Sequence, residues 1–306
     1  MSDYEAEVAA LDSGALVRAM PSLGTLVVTG ADRLSWLGGL LTNDLAKLRP
    51  GEASYALSVD KTGRVQADLW VLVDDERLLL AVEASLAPRL CETLDHYLIM
   101  EDAEIAVAER WSWWLAHGPE SSAGIEAARG AGALAARASL GGCPTAVVAA
   151  PPEAGVNLAE VLTAPAGCLL ATPEAWQRIR VERSLPVFGV DYEPGVYPQE
   201  ASLEDLAVSF QKGCYLGQEA VFMIEKRGRP PRRLVSIVVE GDEPVAPGSA
   251  VEKDEGTSIG RVTTAVSLAG EVRALATLKQ KHSEIGSDIR VAGRPGRVVA
   301  PVSGFR

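Results

Sequence analysis

Metal-ligating residues are scarce in this 306-residue chain. Its four cysteines, Cys91, Cys143, Cys168 and Cys214, form no CxxC pair, and its three histidines are scattered. No spacing suits a zinc or a cysteine-ligated cluster site, so no metal is expected. Positive charge is also in short supply. Lys and Arg number 29 against 41 Asp and Glu, a net charge of -12. Such a surface repels phosphate backbones, and direct nucleic-acid binding is not expected. No apolar run approaches the ~18 residues that cross a membrane. The opening MSDYEAEVAA is acidic, unlike a secretory or organelle leader. Reduced thiols and a cytoplasmic location are the expectation.

What remains is an ordinary globular composition, 47% hydrophobic and 23% charged. At ~100–200 residues per domain the length suggests two or three domains. Residues 24–29 read as a strand, ended by Gly30-Ala31-Asp32. Asp32 is the expected N-cap of a helix carrying Leu34, Trp36, Leu37, Leu40 and Leu41. From Gly63, apolar Val65, Ala67, Leu69 and Val71 alternate with Arg64, Gln66 and Asp68. A turn at Asp74-Asp75, a strand to Val82, a helix near 84–98 and a strand at 105–108 follow, a unit of the split βαβ kind. The Ala/Gly/Ser-rich stretch 118–145 suits a small-residue helix between flexible loops. Thr172-Pro173-Glu174 begins a helix running to about Leu185. Beyond Pro230-Pro231, short alternating runs predict a small barrel or sandwich.

Three constellations carry chemistry. The densest is Lys212-Gly213-Cys214-Tyr215-Leu216-Gly217-Gln218-Glu219. Its two glycines permit sharp backbone geometry, and Gln218 and Glu219 fall in the first turn of a predicted helix. Cys214, beside a lysine and a helix start, is either a thiol of lowered pKa or a small residue packed into a tight turn. The second is Glu182, at the edge of the stripe Ala175, Trp176, Ile179. A carboxylate there needs a partner, either Arg178 or a hydrogen-bonding ligand such as the amino-pyrimidine edge of a pterin. The third is the basic run 226–233, which includes Arg229: a solvated interdomain turn, or a patch for an anionic tail or RNA. Asp44, Asp60 and Asp68 flank the first strands; Asp68 is on the polar phase of its strand, so exposure is its default.

The string KGCYLGQE, with Pro198-Gln199-Glu200 and Ser209-Phe210 upstream, resembles the signature of YgfZ-type folate-binding proteins, relatives of the aminomethyltransferase (T-protein) of the glycine cleavage system. Val28 to Asp32, Leu41 to Asp44, Gly51 and Lys61 to Arg64 are similar to the family's N-terminal pattern. Arg180, Glu182, Pro186 and Gly189 are similar to its central segment, and Gly260 to Thr263 and Ala274 to Ala276 to its C-terminal barrel.

The resemblance implies an α+β fold: a three-part GcvT-like ring, with a split βαβ N-terminal and central folate-binding region and a small C-terminal β-barrel. The corresponding domains are 1–230, of two interwoven α+β subdomains, and 231–306. It implies tetrahydrofolate or a derivative as cofactor, with Glu182 on the pterin and Lys212, Tyr215, Gln218, Glu219 and Arg229 shaping the turn, the channel wall or the tail site. It makes Cys214 the functional thiol of a protein serving iron–sulfur cluster assembly or repair. Partners would be iron–sulfur proteins or cluster-assembly factors, and effects on tRNA modification would be indirect. Two departures stand out. Where the aminomethyltransferases carry adjacent aspartates, this chain has Ala67-Asp68. Where YgfZ-type chains usually carry an arginine four residues beyond the signature glutamate, it has Met223. The alternatives are a folate-dependent aminomethyl or one-carbon transferase with Asp68 or Asp44 near the reacting carbon, and a binding module that keeps the fold without folate.

Overall fold

A computed structural model describes residues 3–227, 230–253 and 256–301. By internal contacts the chain forms two compact units: residues 1–59, 67–175 and 211–216 in the first, and 60–66, 176–210 and 217–306 in the second.

The first unit contains α1 (Asp3–Ser13), β1 (Ala15–Ala19), β2 (Leu23–Thr29), α2 (Arg33–Gly38), β3 (Ala53–Val59), most of β4 (Val65–Val73), β5 (Leu78–Glu83), α3 (Ala87–Asp95), β6 (Glu104–Ala108), β7 (Ser112–His117), α4 (Ser121–Gly130), β8 (Leu134–Leu140), β9 (Cys143–Ala150), α5 (Leu158–Thr163) and β10 (Cys168–Leu170). Two five-stranded sheets result, ordered β3-β4-β5-β2-β6 and β10-β1-β7-β9-β8. Successive residues of a strand face opposite sides, and here both sides are used. Trp70, Leu72, Leu79 and Ala81 of one sheet meet Trp113, Leu115, Val147 and Ala149 of the other. The opposite faces, Leu69, Val71, Leu80 and Val82, pack beneath Trp36 and Leu37 of α2 and Leu90 and Leu94 of α3. The second sheet is covered in the same way by Ile125 and Ala128 of α4 and Leu158 and Leu162 of α5. The unit is thus helices, sheet, sheet, helices. Buried on both faces, β4 and β5 read as the near-continuous apolar runs LWVLV and LLLAV. Each fully buried Leu or Val of this kind contributes roughly 1.5–3 kcal/mol.

Several expectations change here. The helix after Asp32 stops at Gly38, short of Leu40 and Leu41. Asp32 does not cap it with its side chain; its carboxylate accepts the Asp102 amide at 2.9 Å instead. The segment 118–145 holds α4 as expected, but its second half is β8 and the start of β9 rather than loop, joined through Gly141-Gly142. Both glycines have φ > 0, as tight two-residue hairpin turns require. Ala135, Ala146 and Ala150 of these strands lie in the core under α4, while Ala136 and Ala149 face the other sheet.

The helix α6 (Pro173–Glu182) starts as predicted. Thr172 Oγ1 accepts the Ala175 amide at 3.3 Å and donates to the buried Glu7 carboxylate at 3.0 Å. It ends at Glu182, not Leu185, because Ser184 takes a left-handed φ of 55°.

The second unit adds α7 (Glu204–Ala207), α8 (Gln218–Arg227), β11 (Arg232–Glu240), β12 (Ala250–Glu252), β13 (Ser258–Leu268), β14 (Glu271–Lys279), β15 (Asp288–Val291) and β16 (Arg294–Pro301). The six strands close into a barrel, β11-β14-β13-β12-β15-β16, filled by Val235, Ile237, Val262, Val272 and their neighbours. Closure leaves no free edge. A buried network fastens the part of α6 from Trp176 onward within this unit. Arg180 Nη1 donates to Asp191 Oδ2 at 2.7 Å and Nη2 to Thr264 Oγ1 at 3.1 Å. Asp191 Oδ1 accepts from Thr263 and Thr264, each at 2.7 Å.

Candidate functional site

The signature straddles the unit boundary: 212–216 belong to the first unit and 217–219 to the second.

In the first unit, Lys212 is half-buried and its ammonium is tripodally bound. Nζ donates to the carbonyls of Gly38 at 2.6 Å, Leu41 at 2.7 Å and Asn43 at 2.8 Å. An ammonium has three protons and no acceptor, so three carbonyls satisfy it completely. Burial pulls its pKa down to about 8, against the pull of the Asp44 carboxylate. At neutral pH it still carries its third proton. The Tyr215 ring centroid lies 5.1 Å from Nζ, and the Leu216 amide donates to the Gly39 carbonyl at 2.9 Å. Tyr215 itself is buried; its hydroxyl has no hydrogen-bond partner among the described residues. Burial raises its pKa far above the ordinary value, so it is a neutral phenol. Between Lys212 and Tyr215 the chain turns out to solvent, and Cys214 is exposed rather than packed inside the turn.

Asp68 is tied to the same cluster. It is half-buried rather than exposed, and the Tyr55 hydroxyl donates a short hydrogen bond to its Oδ2. The Tyr55 ring leans on Trp70 at 5.2 Å. The Asn43 side-chain amide donates to the Tyr55 carbonyl at 2.8 Å, while the Asn43 carbonyl accepts from Lys212. A continuous chain of hydrogen bonds therefore runs Lys212–Asn43–Tyr55–Asp68. Neither Asn43 nor Tyr55 stood out in the sequence as a site residue. Asp44 stays in the neighbourhood. Its pKa is lowered chiefly by the hydrogen bond from Lys47, with the Lys212 charge adding to it.

In the second unit, Gln218 and Glu219 occupy the first turn of α8 as expected. The glycine before them is obligatory. Gly217 has φ 75°, and a Cβ there would lie 2.3 Å from the Asp60 carbonyl oxygen. Gly63 packs against Ala220 and Val221, so the 60–66 hairpin tip and the start of α8 interlock. Asp60 organises that tip, accepting the Thr62 amide at 2.8 Å, the Thr62 hydroxyl at 2.7 Å and the Arg64 amide at 3.1 Å. Arg64 donates to the Gly195 carbonyl and lies 4.6 Å over the Tyr197 ring. Gly213, by contrast, has no heavy atom within 4 Å of a built Cβ and no left-handed φ. Only one of the two signature glycines answers to backbone geometry.

Glu182, in the last turn of α6, takes Arg178 Nε at 2.9 Å and keeps 21% of its side chain exposed. The arginine partner is thus present. In the basic run, Arg233 pairs with the buried Glu204, Lys226 and Arg232 are exposed, and Arg229 lies outside the described residues. Among the described residues no group of three or more His, Cys, Asp or Glu is placed to hold a metal ion. No described helix is long and apolar enough to cross a membrane.

A fold with paired sheets, flanking helices and a terminal six-stranded barrel is that of the glycine-cleavage T-proteins. The crystal structure of aminomethyltransferase T from Bartonella henselae superposes with a TM-score of 0.79 at 19% identity, covering 99% of this chain and 91% of that one. Residues 1–140 match the GCVT N-terminal domain. The aminomethyltransferase of Geobacillus thermodenitrificans is 30% identical over 307 residues, 92% of this chain and 83% of that protein. A tRNA-modifying protein YgfZ from Sodalis glossinidius is 26% identical over 264 residues, 78% of this chain and 76% of its own. The chain belongs to the GcvT-like superfamily that contains the aminomethyltransferases and the YgfZ-type proteins, and its KGCYLGQE motif fits the YgfZ type.

Proposed function

We propose that this protein binds a reduced folate and supports the assembly or repair of iron–sulfur proteins, with Cys214 as its functional thiol and tRNA modification affected indirectly. The observation carrying this reading is the exposure of Cys214 on the signature turn, within a chain that has both aminomethyltransferase and YgfZ relatives. Glu182 suits a pterin. Carboxylate oxygens accept hydrogen bonds, which matches the paired N–H donors of a 2-amino-pyrimidinone edge. Tyr215 suits a bound ligand as well, since its buried hydroxyl has a proton to donate. Gln218 and Glu219 would line the same turn. When bound, the folate would supply one-carbon carrying capacity, and Glu182 would orient its pterin.

The test is calorimetric titration with tetrahydrofolate and 5-formyltetrahydrofolate, beside Glu182→Ala. Saturable binding by the parent, weakened at least tenfold in the variant, is the expected result. Absence of binding to the parent would leave the fold without a folate role and favour a protein-binding module. A cell-based assay of a cluster-dependent enzyme tests the thiol: Cys214→Ser is expected to fold normally and fail to complement.

A second reading, folate-dependent one-carbon transfer, is favoured by one observation. Asp68 is a half-buried carboxylate held by Tyr55, as an acid/base group would be. Steady turnover of a methylamine-type donor with tetrahydrofolate, lost in Asp68→Asn, would support it. Unchanged turnover in that variant would remove Asp68 as the base.

A further inference from the structure

We infer that Lys212 is a positioning residue: its ammonium, locked onto the carbonyls of Gly38, Leu41 and Asn43, sets the turn that presents Cys214 and the chain of contacts that holds Asp68. The cation sits in the signature beside an exposed thiol, which invites a reading as an anion-binding group. The geometry assigns it otherwise. All three acceptors are backbone oxygens at 2.6–2.8 Å. One of them, Gly38, is the last residue of α2, whose final carbonyls lack helical amides. With every proton committed, nothing is left to donate to a ligand.

The lock acts in two directions. Towards the thiol, Lys212 fixes one end of the turn and the Leu216 amide on the Gly39 carbonyl fixes the other, two anchors with Cys214 between them. Towards the carboxylate, the Asn43 carbonyl held by Lys212 belongs to the residue whose side chain holds Tyr55, and Tyr55 holds Asp68. A compact ammonium with three independently directed donors meets this tripod; a planar guanidinium directs its donors in one plane and cannot. Lysine at this position is therefore required by shape, not by charge alone.

The inference extends the proposed roles of Cys214 and Asp68, but its first readout depends on neither. That readout is hydrogen exchange at the Leu216 amide in the full-length chain. In Lys212→Ala, exchange at Leu216 is expected to accelerate at least tenfold, with the barrel amides unchanged. Propylammonium, which carries three N–H donors, is expected to restore protection; tetramethylammonium, of equal charge without donors, is not. Alkylation of Cys214 by N-ethylmaleimide should shift with the same pattern of rescue. Should the alanine variant not fold, Lys212→Arg serves: the charge is kept and exchange at Leu216 is still expected to rise. Wild-type protection in Lys212→Ala or Lys212→Arg, or equal rescue by both amines, overturns the inference. Failure of folate to bind the parent protein would overturn the folate reading and leave this result standing.

Discussion

At Gly217 a methyl group is enough to test the site. Its φ of 75° and the 2.3 Å approach to the Asp60 oxygen mean that Gly217→Ala forces both a left-handed alanine and a backbone shift. A destabilisation of about 1–3 kcal/mol is expected from the strained conformation, read as a drop in midpoint denaturant. Gly213→Ala, with open space and no such φ, should be close to neutral in the same experiment. Arg180 is the opposite kind of residue, large, charged and 3% exposed. Arg180→Met would leave Asp191, whose side chain is fully buried, with its two threonine hydroxyls and no counter-charge. Breaking a buried pair from one side costs about 3–5 kcal/mol, and a loss of unfolding free energy of that size, with a lower thermal midpoint, is the expected result.

Within the 60–66 hairpin tip the Asp60 carboxylate accepts from Thr62 and Arg64, and a pH dependence follows from that. Burial raises the Asp60 pKa, but the hydrogen bonds from Thr62 and Arg64 outweigh it and bring the value below the ordinary 3.8. An acid whose folded pKa is depressed contributes stability above its unfolded pKa and loses it as pH falls through the folded value. Protection of the Thr62 and Arg64 amides should therefore weaken below about pH 4, and Asp60→Asn should flatten that limb of the profile. Elements also mark the reach of sequence reasoning. Val65 to Val71 announced a strand by alternation, and the Thr172-Pro173-Glu174 start of α6 was legible in its capping chemistry. The strands β8 and β9 were not, because their many alanines carry little β-propensity, although they fill the core on both faces of the sheet. For the site, Cys214, Lys212 and Glu182 could be singled out by residue type and motif. The partners of Lys212 could not, since a backbone carbonyl leaves no mark in a sequence. Asn43 and Tyr55 were silent for a related reason: their pairing runs through the Tyr55 main chain.

Over the whole molecule, a charge of -12 acts on any anion that approaches it. Reduced folates carry a glutamate tail, so long-range repulsion should slow their association, and screening should relieve it. Stopped-flow association of a polyglutamylated folate is expected to accelerate as ionic strength rises from about 0.01 to about 0.15 M. Slower association over the same range would show that local positive charge, such as the exposed Lys226 or Arg232, overrides the net charge.

The interlock of Gly217 with Asp60 and of Gly63 with α8 also bears on where the chain can be cut and rejoined. Residues 60–63 and 217–221 are far apart in sequence yet fit one another without slack, so neither stretch can change length independently of the other. The Gly141-Gly142 turn has no such counterpart: no atom comes within 4 Å of a Cβ built on Gly142. A chain carrying an inserted reporter should keep its fold when the insertion is at 141–142 and lose it when it is at 61–63.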